Sequence, residues 1–215
     1  MNTLAHLVLA GPDQDLRLGA FLGDFLPGPL PGPHAPGLAR GLALHRYIDR
    51  LTDSDPAFRA LKALAPAPLR RLTPIALDVI FDHCLARRFV ALTGHALEAF
   101  SAEALGDLKA QRHAMPAPAQ QLLAVLDTHA VLPAYAHWPA VERTLRGIAR
   151  RRPRLAALSD LAPALAPHRD IIAATFEDRF PALETACAAW LADPSRFPGG
   201  DATLAPQSLG SENAP

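Results

Sequence analysis

Acidic and imidazole side chains recur inside apolar stretches of this chain, where an unpaired charge is costly. The clearest case is the segment 73–85, TPIALDVIFDHCL, which is apolar apart from Asp78, Asp82, His83 and the threonine. Asp78 and Asp82 are four residues apart, so on a helix they lie on one face, one turn from each other. Two ionised carboxylates in such surroundings need compensation, either from arginine side chains or from a divalent metal ion. This segment alone leaves both interpretations open.

Other segments offer groups of the same kind. His45 and Asp49 are spaced i, i+4, which suits two ligands of one metal ion and equally suits a surface histidine–aspartate pair. Asp24 follows an apolar run near a predicted helix C-terminus, where the helix dipole disfavours negative charge, so we expect it inside and beside a compensating group. His6 stands alone in an apolar run, and a satisfied core histidine is the alternative to a functional role.

These groups together form a mixed carboxylate and imidazole set. Such a set suits Mn²⁺, Fe²⁺ or Zn²⁺, and an excess of carboxylates favours Mn²⁺ or Mg²⁺. The candidate groups are Asp24, His45, Asp49, Asp78, Asp82, His83 and His6.

The elements that must hold these residues are predicted to be helices throughout. Strong helix formers fill the stretches between prolines, and alternating β-branched runs are absent. Asp55–Pro56 and Thr73–Pro74 each predict an N-cap followed by a first helical residue. The expected fold class is therefore all-α, a compact single-domain bundle. Its predicted helices cover 3–10, 14–26, 37–52, 56–65, 74–92, 95–112, 117–130, 139–150 and 168–192.

The prolines and cysteines indicate a loop, a domain boundary and the redox environment. The segment 27–36, PGPLPGPHAP, is predicted to be an extended loop, because proline fixes φ and lacks an amide donor. We expect one domain over 1–192 and a mobile tail over 193–215, where Gly, Pro and Ser dominate. Cys84 and Cys187 have no zinc-ribbon spacing, so we expect small buried hydrophobes in a reducing compartment.

The overall charge is balanced, with 21 Lys+Arg against 21 Asp+Glu. This balance argues against a general nucleic-acid binder, and the absence of a long apolar run or a basic leader predicts a cytoplasmic protein without a membrane span. Positive charge is nevertheless concentrated in one stretch, where three arginines share a helical face. That stretch could dock an acidic partner or be a solvated helix end. Its arginines are Arg143, Arg146, Arg150, Arg151, Arg152 and Arg154.

Several segments of the chain resemble, in order and with similar spacing, the acyl carrier protein phosphodiesterase family. The resemblance extends from residue 2 to about residue 190. The matching segments are NxLAHL at 2–7, GxxxxDF at 19–25, HRxID with TD at 45–53, PIxLDV with DH at 74–83, and RRPRL at 151–155.

The resemblance implies a mostly helical protein similar to the HD-domain metal-dependent phosphohydrolases, although Asp82–His83 departs from the His–Asp order of those domains. The implied reaction hydrolyses the phosphodiester that holds 4′-phosphopantetheine on holo acyl carrier protein and leaves apo acyl carrier protein. The implied metal is Mn²⁺, with Mg²⁺ or Fe²⁺ as alternatives. For this reaction the predicted metal ligands are Asp24, His45, Asp49, Asp78, Asp82 and His83. The predicted catalytic groups are Asp24, His45 and His6, and His6 would protonate the leaving oxygen or orient a ligand. The implied partner is a small acidic protein, for which the arginine stretch offers a docking surface.

Two rival functions remain at this point. A metal-dependent phosphohydrolase acting on nucleotides would cleave its substrate without a carrier protein. A non-enzymatic helical binding module would use the same Asp and His residues only as internal ion pairs and would bind no metal.

Overall fold

All regular secondary structure in the described part of the chain is helical. The computed structural model describes residues 1–193, and within them there is no β-strand, which confirms the all-α prediction. The likeness to HD domains and the domain boundary stay predictions, and the predicted tail lies outside the described residues beyond Asp193. The helices are α1 (Thr3–Ala10), α2 (Gln14–Leu22), α3 (Pro36–Ser54), α4 (Pro56–Leu61), α5 (Thr73–Arg87), α6 (Phe89–Thr93), α7 (Leu97–Ala110), α8 (Ala117–Thr128), α9 (Val131–Ala134), α10 (Trp138–Arg151), α11 (Leu158–Leu165) and α12 (Arg169–Ala192).

Two glycines allow α2 and α3 to cross in close contact. A Cβ on Gly19 would lie 2.5 Å from Gly41 Cα, and a Cβ on Gly41 would lie 2.8 Å from Gly19 Cα. Both distances are well below van der Waals contact, so neither position accepts a larger residue without moving a helix. Since α3 carries His45 and Asp49, this crossing sets where those side chains lie relative to the end of α2.

Helix α5 runs through the interior of the bundle. It packs against α1, α10, α11 and α12, and its side chains are buried on most sides. Asp82 is fully buried, whereas the Asp78 side chain is 41% exposed. This placement explains why the sequence of α5 is apolar almost all round.

The predicted cap of α5 is wrong, and that of α4 is confirmed. The N-cap of α5 is Leu72, and Thr73 is already inside the helix. The hydroxyl of Thr73 donates to the Leu69 carbonyl in the preceding turn, at 3.2 Å, so it does not cap the helix amides. Asp55 caps α4 by accepting the amide of Ala57 at 2.7 Å and that of the next residue. A carboxylate at this position satisfies amides that the first helical turn leaves unpaired.

Helix α10 separates an apolar face from a basic face. Val141, Leu145 and Ala149 are buried at a spacing of four residues. The arginines of the basic stretch, Arg143, Arg146, Arg150, Arg151, Arg152 and Arg154, are all exposed. The predicted shared helical face is therefore present, and its role in docking stays a prediction.

The remaining local predictions concern the loop, the cysteines and the membrane. Residues 27–35 form no helix, and α3 begins at Pro36, so the proline-rich segment is a loop as predicted. Cys84 and Cys187 are buried free thiols, also as predicted. Among the helices of residues 1–193, none combines the length and the apolar character that a bilayer crossing requires.

Candidate active site

His6, His45 and Asp49 form a tight cluster where α1 meets α3. The two imidazole rings stack with their centroids 3.9 Å apart and their planes 12° apart. Asp49 Oδ1 lies 3.1 Å from His6 Nε2, and Asp49 Oδ2 lies 3.1 Å from His45 Nε2. One carboxylate therefore bridges two stacked imidazoles that come from different helices.

The ring of His45 is held by the backbone of α2. Its Nδ1 donates to the Ala20 carbonyl at 2.8 Å, so Nε2 faces the carboxylates of Asp49 and, at 3.7 Å, Asp24. Burial disfavours the charged ring, but the bonds to these two carboxylates outweigh it and raise the pKa of His45 to about 9. Metal-binding histidines commonly direct one ring N–H to a carbonyl in this way, which fixes the other nitrogen toward the site.

The ring of His6 is buried and neutral. Its Nε2 lies 3.2 Å from the Met1 carbonyl and also contacts Asp49, and since both groups are acceptors, Nε2 carries the proton. Burial lowers the pKa of His6 to about 4, and the positive charge of His45 acts in the same direction. Nδ1 is then an unprotonated nitrogen that is buried and has no hydrogen-bond partner among the described residues.

Asp78 approaches the cluster from α5. The amino group of Met1 lies 3.1 Å from Asp78 Oδ1 and 3.3 Å from Asp49 Oδ1, so carboxylates from two helices converge on one cationic group. Desolvation raises the pKa of Asp78 despite the opposing effect of that amino group. The structure thus places Asp78 at the edge of the cluster, and its predicted role as a metal ligand stays a prediction.

Asp82 caps helix α1. Its two oxygens accept the backbone amides of Leu4 at 2.8 Å and Ala5 at 3.0 Å. Burial raises the pKa of Asp82 to about 7, although these amide bonds oppose the rise. Asp82 therefore fixes the start of the helix that carries His6, and its predicted role as a metal ligand stays a prediction.

His83 is not brought to the cluster. Consecutive helical residues point roughly 100° apart, so when Asp82 faces α1, His83 must face elsewhere. Its Nδ1 lies 2.6 Å from the Tyr135 carbonyl, its ring meets the edge of Trp138, and it lines a separate cavity. The expectation that adjacent Asp82 and His83 enter one site does not match this geometry.

Asp24 lies at the open side of the cluster. Its side chain is 82% exposed, contrary to the expectation of an interior acid, because α2 ends at Leu22 and Asp24 follows in a solvent-facing turn. The expected compensating group is present, since the ion pair with His45 lowers the pKa of Asp24. An ionised, accessible carboxylate thus stands beside the buried cluster.

The cluster has the chemistry of a metal centre. His6, His45 and Asp49 each offer one ligand atom, and these atoms all lie within 4.8 Å of one another. Nitrogen and oxygen donors in this combination suit Mn²⁺, Fe²⁺ or Zn²⁺. The Nε2 atoms of His6 and His45 both face Asp49, so these two nitrogens and the carboxylate are the atoms that would hold such an ion, with Asp24 and Asp78 at the edge of the site.

Comparison with known proteins adds independent evidence. A family model described as acyl carrier protein phosphodiesterase matches residues 1–183. The chain belongs to the acyl carrier protein phosphodiesterase family. An acyl carrier protein phosphodiesterase from Serratia proteamaculans is 38% identical over 160 residues, which is 74% of this chain and 83% of the relative. One from Yersinia pestis is 35% identical over 184 residues, which is 85% of this chain and 95% of the relative. No solved structure matches the chain.

Membership in the acyl carrier protein phosphodiesterase family confirms the resemblance noted in the sequence. The matched residues contain the whole cluster, from His6 to Asp49, together with the basic stretch 143–154. Both the candidate metal centre and the candidate docking surface therefore lie within the region that matches the family.

Sequence reasoning missed two residues that support this phosphodiesterase site. A Cβ on Gly23 would lie 2.1 Å from His45 Cγ, so the ring occupies space that only glycine leaves free. The Tyr135 hydroxyl accepts from Asn2 Nδ2 at 3.1 Å and lies 3.3 Å from Thr144 Oγ1, which joins α10 to the start of α1. Neither contact has a local sequence signal, because both arise between elements distant in the chain.

Proposed function

We propose that this protein removes the 4′-phosphopantetheine group from holo acyl carrier protein by hydrolysing the phosphodiester bond, which leaves apo acyl carrier protein. Family membership supports the substrate class. The observation that carries the proposal is the bridging of His6 and His45 by Asp49, at 3.1 Å on each side, next to the accessible carboxylate of Asp24.

We infer that His6, His45 and Asp49 hold a divalent cation, Mn²⁺ in the first place and Mg²⁺ or Fe²⁺ as alternatives. A bound ion of this kind neutralises phosphate oxygens and lowers the pKa of water. Asp49 orients both imidazoles, and the Ala20 carbonyl fixes the ring of His45. His6 is buried and neutral, so its role is to hold and orient the site rather than to donate a proton.

Asp24 is the group we assign to proton transfer. It is ionised and exposed, and it lies 3.7 Å from His45 Nε2 on the open side of the cluster. It accepts a proton from the attacking water, and the serine oxygen of the carrier protein takes up a proton from solvent as the phosphorus–oxygen bond breaks. This role fits a side chain that solvent and substrate reach.

The carrier protein docks on the basic face of α10 in this proposal. Asn2, Tyr135 and Thr144 form a chain of contacts from the start of α1 to α10, so the basic face belongs to a helix adjoining the site. Exposed arginines such as Arg143, Arg146 and Arg150 would attract an acidic helix and accelerate encounter. We expect the protein in the reducing cytoplasm, because its partner is an acyl carrier protein and its two buried cysteines are free thiols.

Product mass tests the proposal. We expect incubation with holo acyl carrier protein and Mn²⁺ to lower the carrier mass by that of phosphopantetheine, with free 4′-phosphopantetheine as the second product. Cleavage of cyclic or linear nucleotides with no change in the carrier would overturn it in favour of a nucleotide phosphohydrolase. Absence of both reactions, together with absence of metal binding, would favour a binding module.

A further inference from the structure

A second polar cavity lies apart from the His6–His45–Asp49 cluster, where α5, α10 and α12 meet. It has a volume of about 400 Å³. Residues from the end of α5 and the starts of α10 and α12 line it, among them His83, Arg87, His137, Trp138, Arg169 and Asp170. None of these residues takes part in the proposed hydrolysis.

The charge in this cavity is unbalanced. Arg87 and Arg169 line it together with two histidines, and Asp170 is the acid among the lining residues. No carboxylate within residues 1–193 forms an ion pair with Arg87 or Arg169. The guanidinium of Arg169 lies 5.2 Å from the Trp138 ring centroid, and its Nε donates to the Ala166 carbonyl. The remaining guanidinium N–H groups of both arginines are therefore available to a ligand.

The wall of the cavity is firmly held. His83 is 4% exposed, and its Nδ1–H donates to the Tyr135 carbonyl, which leaves Nε2 of the neutral ring as an acceptor. Trp138 is 9% exposed, and its inaccessible indole N–H has no hydrogen-bond partner among residues 1–193. Helix α10 begins at Trp138, so the positive end of its dipole borders the same space.

We propose that this cavity binds a small anion through a phosphate monoester group. Two unpaired arginines match phosphate oxygens in geometry and charge, and phosphate favours helix N-termini. A space of this size accommodates the phosphate and a short organic chain attached to it. Inorganic phosphate and a phosphate monoester such as free 4′-phosphopantetheine share this chemistry.

Titration of the full-length protein with inorganic phosphate, and separately with 4′-phosphopantetheine, tests the inference. The readouts are tryptophan fluorescence, to which Trp138 and Trp190 both contribute, and the phosphorus-31 linewidth. We expect a saturable change with at least one ligand. If inorganic phosphate saturates the site, the phosphate group is sufficient for binding. If only 4′-phosphopantetheine saturates it, binding also requires the organic chain of the monoester.

Matched variants place the binding in the cavity. Arg87→Met and Arg169→Met, both at exposed positions, should each weaken binding about tenfold or more, since a hydrogen-bonded charge contact to phosphate is lost. Arg88→Met is the control, because Arg88 pairs with Glu177 at 3.4 Å outside the cavity, and it should leave binding unchanged. No saturable change, or equal binding by all variants, would overturn the inference. The titration requires no turnover, so its outcome is independent of whether the protein acts on acyl carrier protein.

Discussion

The ring of His45 fills the space in which a side chain at position 23 would lie. A Cβ built on Gly23 would meet His45 Cγ at 2.1 Å and His45 Nδ1 at 2.4 Å. The Ala20 carbonyl holds the ring from the same helix end, and the ring of His6 covers one of its faces. The position of His45 therefore depends on backbone and packing as much as on its acidic neighbours.

Gly23→Ala should displace the His45 ring and reduce kcat by about 100-fold, because moving a catalytic group by about 1 Å can cost that much in rate. The measurement is steady-state release of phosphopantetheine, with far-UV circular dichroism as the check on folding. Gly106→Ala is the matched control, since a Cβ there meets nothing within 4 Å. That variant should keep full activity and gain up to about 1 kcal/mol of stability from helix propensity. Full activity of Gly23→Ala would show that the ring position is not required.

Asp49→Asn should lower the pKa of His45 from about 9, because the carboxylate that stabilises the charged ring is removed. NMR titration of the imidazole protons in metal-free protein measures this shift. The same variant should weaken Mn²⁺ binding by about 10-fold or more, as followed by calorimetry. Asp53→Asn, one turn along α3 and exposed, is the control for a general loss of charge. An unchanged His45 pKa in Asp49→Asn would contradict the bridging geometry.

The stability of the metal-free protein should fall as the pH rises from about 6.5 to about 9. The folded pKa of His45, about 9, exceeds the ordinary histidine value of about 6.5, so the folded state binds the proton more tightly. This contribution is fully present below about pH 6.5 and is lost as the pH passes through about 9. Urea unfolding at a series of pH values measures the slope. His45→Gln should flatten the dependence of stability on pH, whereas His95→Gln, at an exposed site, should not. The same slope in both variants would show that His45 is not the group responsible.

Arg146→Glu combined with Arg150→Glu should raise KM for holo acyl carrier protein on the order of 10-fold and flatten its salt dependence. Both positions are exposed on the basic face of α10, so folding should be unaffected. Arg112→Glu, exposed on the turn after α7, provides the control. Initial rates over a range of salt concentrations supply the data, and unchanged KM and salt dependence would place docking elsewhere.

Sequence spacing predicted the part of the site that lies within α3. The i, i+4 spacing of His45 and Asp49 correctly placed both groups on one face of α3, where they are 3.1 Å apart. The stacking of His6 on His45 could not be predicted, because it depends on how α1 packs against α3. The same limit applies to Asp82, whose bond to the Leu4 amide joins residues 78 positions apart.

The helices were predicted well where prolines mark their starts, whereas two short helices that contain a proline were missed. Helix α11 contains Pro163 and α9 contains Pro133, and neither helix was among those predicted. A proline within a short segment normally argues against a helix, because it lacks an amide donor. Here burial of Leu158, Leu161 and Leu165 outweighs that cost.

The most direct test of the account compares phosphopantetheine release by the wild-type protein, Asp49→Asn and Asp53→Asn on holo acyl carrier protein with saturating Mn²⁺. Mass spectrometry of the carrier measures conversion to the apo form. The account predicts conversion by the wild type and Asp53→Asn and a loss of at least about 100-fold in Asp49→Asn, since Asp49 bridges the two imidazoles of the centre. Wild-type conversion by Asp49→Asn, or no conversion by any of the three proteins, would contradict it.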